Sequence, residues 1–228
     1  MNKLIKLVHL CKDVYKSFFI SFLTKEEDKF RYIYKKKYWL NPKGKSLSGS
    51  GSSLSASENI IKELSAFIIE NKVSSILDIP CGDWKWMSNI NLSNINYFGG
   101  DIVQEIIDDN NKKHSSQKVN FIKLNLMRDK LISSDLLIVR DLLVHLKDED
   151  IFKCLDNIRR HDFKYIGLTH YPATIENKEK FFGDRWRPLN LLIKPFEMSK
   201  PDFILSDNSK DNGIDEGRTL AVWSKQNF

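Results

Sequence analysis

The chain has 228 residues and a mass of 26.7 kDa; 41% of its residues are hydrophobic and 29% charged, with 10 Gly and 6 Pro. That composition excludes a multidomain machine, a disordered chain and a fibrous one, and it leaves room for one domain with a full core. The net charge of +6 is unevenly spread: residues 1–45 hold 12 Lys/Arg against 4 Asp/Glu and the remainder 24 against 26, so a basic nucleic-acid-binding face is poorly supported outside the N-terminal arm.

The expected organisation is therefore a basic amphipathic arm, residues 1–45, followed by one domain, residues 46–228. In the arm, Leu4, Leu7, Val8, Cys11, Val14, Phe18, Phe19 and Phe22 recur at mostly helical spacing, with Lys3, Lys6, Lys12 and Lys16 between them. A lysine every few residues excludes a transmembrane span, and no small-residue cleavage site follows Phe18 to Leu23. The pattern fits first a helix packed on the domain or on a second copy of the chain. It fits second an interfacial helix on the inner face of a membrane. Three scattered cysteines, Cys11, Cys81 and Cys154, make neither a disulfide framework nor a Cys-x-x-Cys metal knuckle, so a reducing cytoplasm and no metal are expected.

Residues 41–57 contain the one Gly/Ser-rich stretch, Ser48-Gly49-Ser50-Gly51-Ser52-Ser53, running into a helical pattern from about Ser57 to Asn71 with Ser57 as N-cap. Small residues at a helix entrance let backbone approach a ligand closely. Beyond it, apolar runs alternate with amphipathic stretches. A strand at Ser75–Asp78 is followed by a helix from about Trp84 to Ile90, and a strand near Tyr97–Asp101 by a helix from Gln104 to His114. Strands at Val119–Leu124 and Leu136–Arg140 come next, then a helix from Asp148 to His161 and a strand at Tyr165–Thr169. This is a doubly wound α/β pattern. Asp202–Ser206 and Thr219–Ser224, joined by a polar segment with Gly213 and Gly217, read as a closing antiparallel hairpin.

Ligands of open α/β sheets bind outside the carboxyl ends of the strands, and this chain puts polar residues there. The first strand ends in Asp78-Ile79-Pro80-Cys81-Gly82-Asp83-Trp84. The second ends at Asp101, where a carboxylate can accept both hydrogen bonds of a ribose diol. A pyrophosphate-bearing nicotinamide cofactor is disfavoured, because the first turn has only Gly82 where three glycines are needed and two acids would face the diphosphate. A cationic nucleoside cofactor suits the acids better.

Asp78, Pro80, Cys81, Gly82, Asp83, Trp86 and Met87 spell D-x-P-C-G-D-x-x-W-M. With Tyr34, Trp39, the Ser48–Ser52 loop, Gly100-Asp101, Arg140-Asp141-Leu142-Leu143-Val144-His145-Leu146, Trp186-Arg187-Pro188-Leu189-Asn190-Leu191 and Pro195-Phe196, residues 27–228 resemble the class I S-adenosylmethionine (SAM)-dependent methyltransferases. Within them the motif is similar to a bacterial subgroup associated with polysaccharide and capsule biosynthesis. The resemblance implies a Rossmann-like, seven-stranded, mostly parallel sheet with a C-terminal antiparallel hairpin, and SAM as cofactor with S-adenosylhomocysteine as product. It places Asp78, Pro80, Cys81, Gly82, Trp86 and Gly100 around the cofactor, Asp101 on the ribose and Asn125 near the adenine. Arg140 lies beside the transferring methyl, and Trp39, Ser50, Gly51 and Ser52 form a cover.

Cys81 reads as a small turn residue rather than a nucleophile, since no His or Lys neighbours it in sequence. Methyl transfer to a hydroxyl needs alignment and a base, for which Asp141, His145 and His170 are candidates. Asp141 and His145, four apart, are expected to share a helical face with the acid orienting the imidazole. Acceptor recognition is expected from Tyr171, Asn177, Arg187 and Asn190, because aromatic, guanidinium and amide groups suit a sugar or a phosphate-bearing glycan precursor. The Asp/Asn-Pro-Pro-Tyr signature of nucleic-acid amino-methyltransferases is absent: that position reads Arg140-Asp141-Leu142-Leu143. Two alternatives stay open, a nucleic-acid methyltransferase steered by the arm and a non-catalytic cofactor-binding partner protein.

Overall fold

Runs such as Ser-Ile-Leu-Asp and Ser-Asp-Leu-Leu-Ile-Val carry apolar side chains on both faces, the pattern of strands covered by helices on both sides. In the computed structural model, which describes residues 14–15, 17–40, 46–207 and 217–228, seven such strands form. They are β1 (Ser75–Asp78), β2 (Asn96–Asp101), β3 (Val119–Lys123), β4 (Ser134–Val139), β5 (Phe163–His170), β6 (Phe203–Ser206) and β7 (Thr219–Ser224). Four helices accompany them: α1 (Glu26–Lys35), α2 (Leu54–Glu70), α3 (Gln104–His114) and α4 (Asp148–Arg159).

The strand order is β3-β2-β1-β4-β5-β7-β6. Every pair is parallel except those of β7, which runs antiparallel between β5 and β6. The chain steps outward from β1 through β2 to β3 and then returns to β4 on β1's other side. A crevice must therefore open at the carboxyl ends of β1 and β4. Adjacent residues of a strand face opposite layers. Leu77, Val139 and Leu168 pack with α1 and α4, while Ile76, Ile138 and Leu220 pack with α2. Each fully buried aliphatic side chain of this kind contributes about 1.5–3 kcal/mol.

The described part of the arm shares this core. Residues 14–15 and 17–22 are helical, Ile20 is fully buried, and α1 adds Phe30 and Ile33 to the cluster holding β4 and β5. Leu4, Leu7, Val8 and Cys11 of the expected amphipathic stripe lie outside the described residues, as does Gly213 of the tail.

Two expected elements differ. α2 starts three residues earlier than the sequence pattern indicates, because Ser53 is the cap: its side chain accepts the Ala56 N–H. Ser57 is inside the helix, buried, and donates back to the Ser53 carbonyl at 2.9 Å. The helix expected from Trp84 to Ile90 is only the 3-10 turn Met87–Asn89. Its start is blocked by left-handed backbone at Gly82 (φ 53) and Trp84 (φ 55). The latter lets the Trp84 ring pack on Tyr97 and Phe121.

Candidate active site

A cavity of about 560 Å³ lies where the sheet order reverses, within the range of small-molecule sites. Its floor is the β1 turn (Pro80, Cys81, Gly82) with Asp101 from the end of β2 and Arg140 and Asp141 from the end of β4. Ser48–Ser52 roof it, and Phe30, Tyr34, Trp39, Tyr171, Asp184, Trp186 and Arg218 line its sides.

Asp101 is held by backbone: Oδ1 accepts the Val103 N–H at 2.9 Å and Oδ2 the Gly82 N–H at 3.3 Å. Burial raises its carboxyl to about 6. Each carboxylate oxygen can accept a further hydrogen bond, and the residue lines the cavity, which suits a vicinal diol. Gly82 cannot be replaced cheaply, since its φ is 53 and an added Cβ would collide with Ser48 Oγ. Asp83 anchors the roof rather than facing a ligand: its carboxylate accepts from the Leu47 N–H at 2.6 Å and from the Ser46 and Ser48 hydroxyls. The small-residue loop is thereby fastened over the β1 turn.

Beneath the roof is a charged quartet. Asp207, fully buried, accepts from Arg140 Nε at 2.8 Å and Nη2 at 2.9 Å, and from Arg218 Nη2 at 3.0 Å. Arg218 Nη1 reaches Asp141 Oδ2 at 2.9 Å, and Arg140 Nη2 donates to the Gly51 carbonyl. Arg140 also lies over the Trp86 ring at 4.8 Å. Burial disfavours the Asp141 anion, but the Arg218 and Arg140 charges outweigh it and hold the carboxyl below its ordinary range. Both guanidinium groups of the cavity wall are thus neutralised, and an anionic ligand finds no free cation there among the described residues.

His145 ends the 3-10 turn Leu143–His145 after β4 and does not share a helical face with Asp141, which lies before that turn. Its orienting group is Asp184. The Asp184 backbone carbonyl lies 2.9 Å from Nδ1 and its Oδ2 lies 3.7 Å away. A carbonyl only accepts, so Nδ1 carries the proton and the neutral ring keeps its lone pair on Nε2. Trp39 stacks on the imidazole at 4.8 Å and donates its indole N–H to Asp184 Oδ2 at 2.7 Å. Lys29, buried on α1, donates to the His145 carbonyl at 3.0 Å. Burial lowers the imidazole pKa more than the Asp184 charge raises it.

The structure brings Trp39, Ser50, Gly51, Ser52, Pro80, Cys81, Gly82, Trp86, Asp101, Arg140, Asp141, His145 and Tyr171 to this cavity. Cys81 is buried, and burial pushes its thiol well above the ordinary range, which disfavours the thiolate. Asp78 sits below the wall instead, accepting from Tyr97 OH at 2.7 Å, and burial raises its carboxyl to about 7. Gly100 serves the β2 edge, its carbonyl accepting the Cys81 N–H. Asn125 lines a small adjoining cavity with Ile102, Leu126 and Leu142.

His170 is kept from the cavity: it is 1% exposed, its Nδ1 accepts the Leu191 N–H at 3.2 Å, and burial lowers its pKa to about 4. Asn177 and Asn190 bracket the 172–194 segment by bonding its backbone. Arg187 is buried in an ion pair with Asp148, its N–H on the Val144 carbonyl. These three act as scaffold, because the segment has no regular structure and its peptide groups need side-chain partners. Trp186, in the Thr174–Phe196 segment expected to choose the acceptor, does line the wall, whereas Asp184 and Arg218 are polar wall residues that sequence reasoning missed.

No protein-family model and no curated protein matches the chain. Solved structures do match in shape. PigF with SAH has a TM-score of 0.58 at 14% identity over 86% of this chain, which spans 61% of PigF. Magnesium protoporphyrin IX methyltransferase from Synechocystis PCC 6803 with bound SAM gives 0.54 at 10% identity, covering 73% of this chain and 78% of that one. The N-methyltransferase NodS from Bradyrhizobium japonicum WM9 gives 0.52 at 13%, covering 73% and 97%. At these identities the likeness establishes the fold alone, the Rossmann-like architecture that these methyltransferases share.

Proposed function

We propose that the chain is a SAM-dependent O-methyltransferase whose acceptor is a hydroxyl of an uncharged sugar unit in a surface-glycan precursor. The observation that carries this reading is His145, whose Nδ1 proton is engaged by the Asp184 carbonyl in a wall shared with Trp39, Tyr171 and Trp186. Asp101 would hold the ribose hydroxyls, Gly82 and Pro80 the methionine end, and Ile102, Leu142 and Asn125 the adenine. The donor set fits: acids outnumber free cations along the wall, which suits a sulfonium and an ammonium and opposes a diphosphate. When bound, SAM supplies a methyl group on a sulfur already primed to leave.

The remaining work falls to the chain. Aromatic faces of Trp39, Trp186 and Tyr171 stack on sugar C–H surfaces, and His145 Nε2 accepts the hydroxyl proton as the oxygen attacks. Because Arg140 and Arg218 are both consumed by Asp207 and Asp141, a phosphate on the precursor is accommodated outside the cavity rather than in it.

The test is release of S-adenosylhomocysteine from SAM in the presence of a panel of sugar nucleotides and lipid-linked sugars, followed by mass spectrometry. A product heavier by one methyl, lost in His145→Ala, supports the reading. Methyl transfer to RNA or DNA only, or SAM binding with no turnover on any hydroxyl acceptor, overturns it.

A further inference from the structure

Two stretches far apart in sequence carry large apolar side chains on the surface: Phe18 (54% exposed) and Phe22 (67%) in the arm, and Phe181 (66%) and Phe182 (56%) in the segment after β5. The fold sets them side by side. Ser21 Oγ accepts the Gly183 N–H at 2.8 Å, and Ser17 bonds Tyr38 OH at 2.8 Å, next to Gly183. The Phe18 and Phe22 rings touch, with centroids 4.7 Å apart, while Ile20 between them is fully buried and anchors the segment. The next residue, Asp184, belongs to the cavity wall. An exposed aromatic patch of this kind beside a site entrance marks an interaction surface.

Charge identifies the occupant. Residues 1–25 hold five lysines and one aspartate. The acids that follow, Glu26, Glu27 and Asp28, are engaged in ion pairs with Lys29, Arg31, Lys123 and Arg185. A symmetric contact between two copies would set these lysine-rich arms against each other, whereas an anionic surface is complementary to them. Among the described residues no helix is long and apolar enough to cross a membrane.

We propose that this patch docks the protein on an anionic lipid surface, the four phenylalanines entering the boundary between headgroups and acyl chains and the net positive charge of residues 1–25 selecting anionic lipid. Because Asp184 follows Phe181–Gly183 directly and lines the cavity, docking brings that wall of the cavity close to the lipid surface. It stands independently of the methyl-transfer reading.

The experiment is sedimentation of the full chain with vesicles of phosphatidylcholine alone and of equimolar phosphatidylcholine and phosphatidylglycerol, with light scattering for oligomeric state. The wild type should pellet with the anionic vesicles, be released by high salt, and bind phosphatidylcholine at least about tenfold more weakly. Phe181→Ser/Phe182→Ser and, separately, Phe18→Ser/Phe22→Ser should weaken binding to a similar degree with unchanged thermal unfolding. If one pair perturbs folding, the other pair and the salt response decide. A wild type that stays in solution with anionic vesicles, folded variants that bind like it, salt-insensitive binding, or a dimer dissociated by the same substitutions would each overturn the proposal.

Discussion

Trp39 and Asp184 are 145 residues apart in sequence, yet the indole N–H of one donates to Oδ2 of the other at 2.7 Å. This bond joins the stretch after α1 to the segment after β5, and the same Asp184 offers its backbone carbonyl to His145. Asp184→Asn leaves that carbonyl in place and removes the charge that opposes the lowering of the His145 pKa. A base must be neutral to act, and a folded pKa below 6.5 puts the midpoint of the activity rise below that value. In a pH profile of kcat/KM, the acidic limb should therefore lie below pH 6.5 in the wild type and lower still in Asp184→Asn. His145→Ala should cost about 10²–10⁴ in kcat with SAM affinity preserved.

In the proposed reading Asp101 holds the ribose hydroxyls of the cofactor. Asp101→Ala should weaken SAM binding by about 1.5–3 kcal/mol, the scale of hydrogen bonds to a charged acceptor, as measured by calorimetry. Its carboxyl ionises at about 6 in the free protein. A ribose engaging the anion favours ionisation, so affinity should rise by about tenfold as pH increases from about 5 to about 7.5. A flat profile would place the ribose elsewhere.

Asp207 neutralises two arginines at once, and side-chain exposure is 0% for Asp207 and 2% for Arg140. Asp207→Ala leaves Asp141 to serve both guanidinium groups and should destabilise by about 3–5 kcal/mol in urea unfolding. Replacing Arg218 instead should cost less, since Arg140 still pairs with Asp207 bidentately. The comparison separates the two roles.

Asp78 is fully buried, its Oδ1 has no partner among the described residues, and its carboxyl is raised to about 7. Between the unfolded value of 3.8 and about 7 the folded state binds more protons than the unfolded one. Stability must then fall as pH rises through that window. Asp78→Asn removes the titration, so its stability relative to wild type should improve steadily from about pH 5 to about pH 8 in thermal unfolding.

Local pattern sufficed for the scaffold. The alternation of apolar runs and amphipathic stretches set β1, α3 and β7 to the residue, and strand ends in such a sheet necessarily converge on one edge. That is why the convergence of Asp101, Arg140, Asp141 and His145 on one cavity was legible: each ends or follows a strand identifiable from its own neighbours. What sequence could not supply was the partner of each. The expected Asp141–His145 pairing rested on a helix that the backbone does not form, Asp141 having φ 57 and the following residues only a 3-10 turn. Asp141 instead turns to Arg218, which β7 brings across the edge.

Asp184, Arg218 and Asp207 carry no periodic signal, because they lie outside regular elements and their positions depend on which strands become neighbours. The same holds for Asp83, an acid of the β1 turn that is spent on the roof rather than on a ligand. Hydrophobic periodicity is a property of residues three or four apart and is written along the chain. Ion pairs and hydrogen bonds across a cavity depend on groups placed within about 3 Å by the whole fold, so only the tertiary structure assigned them.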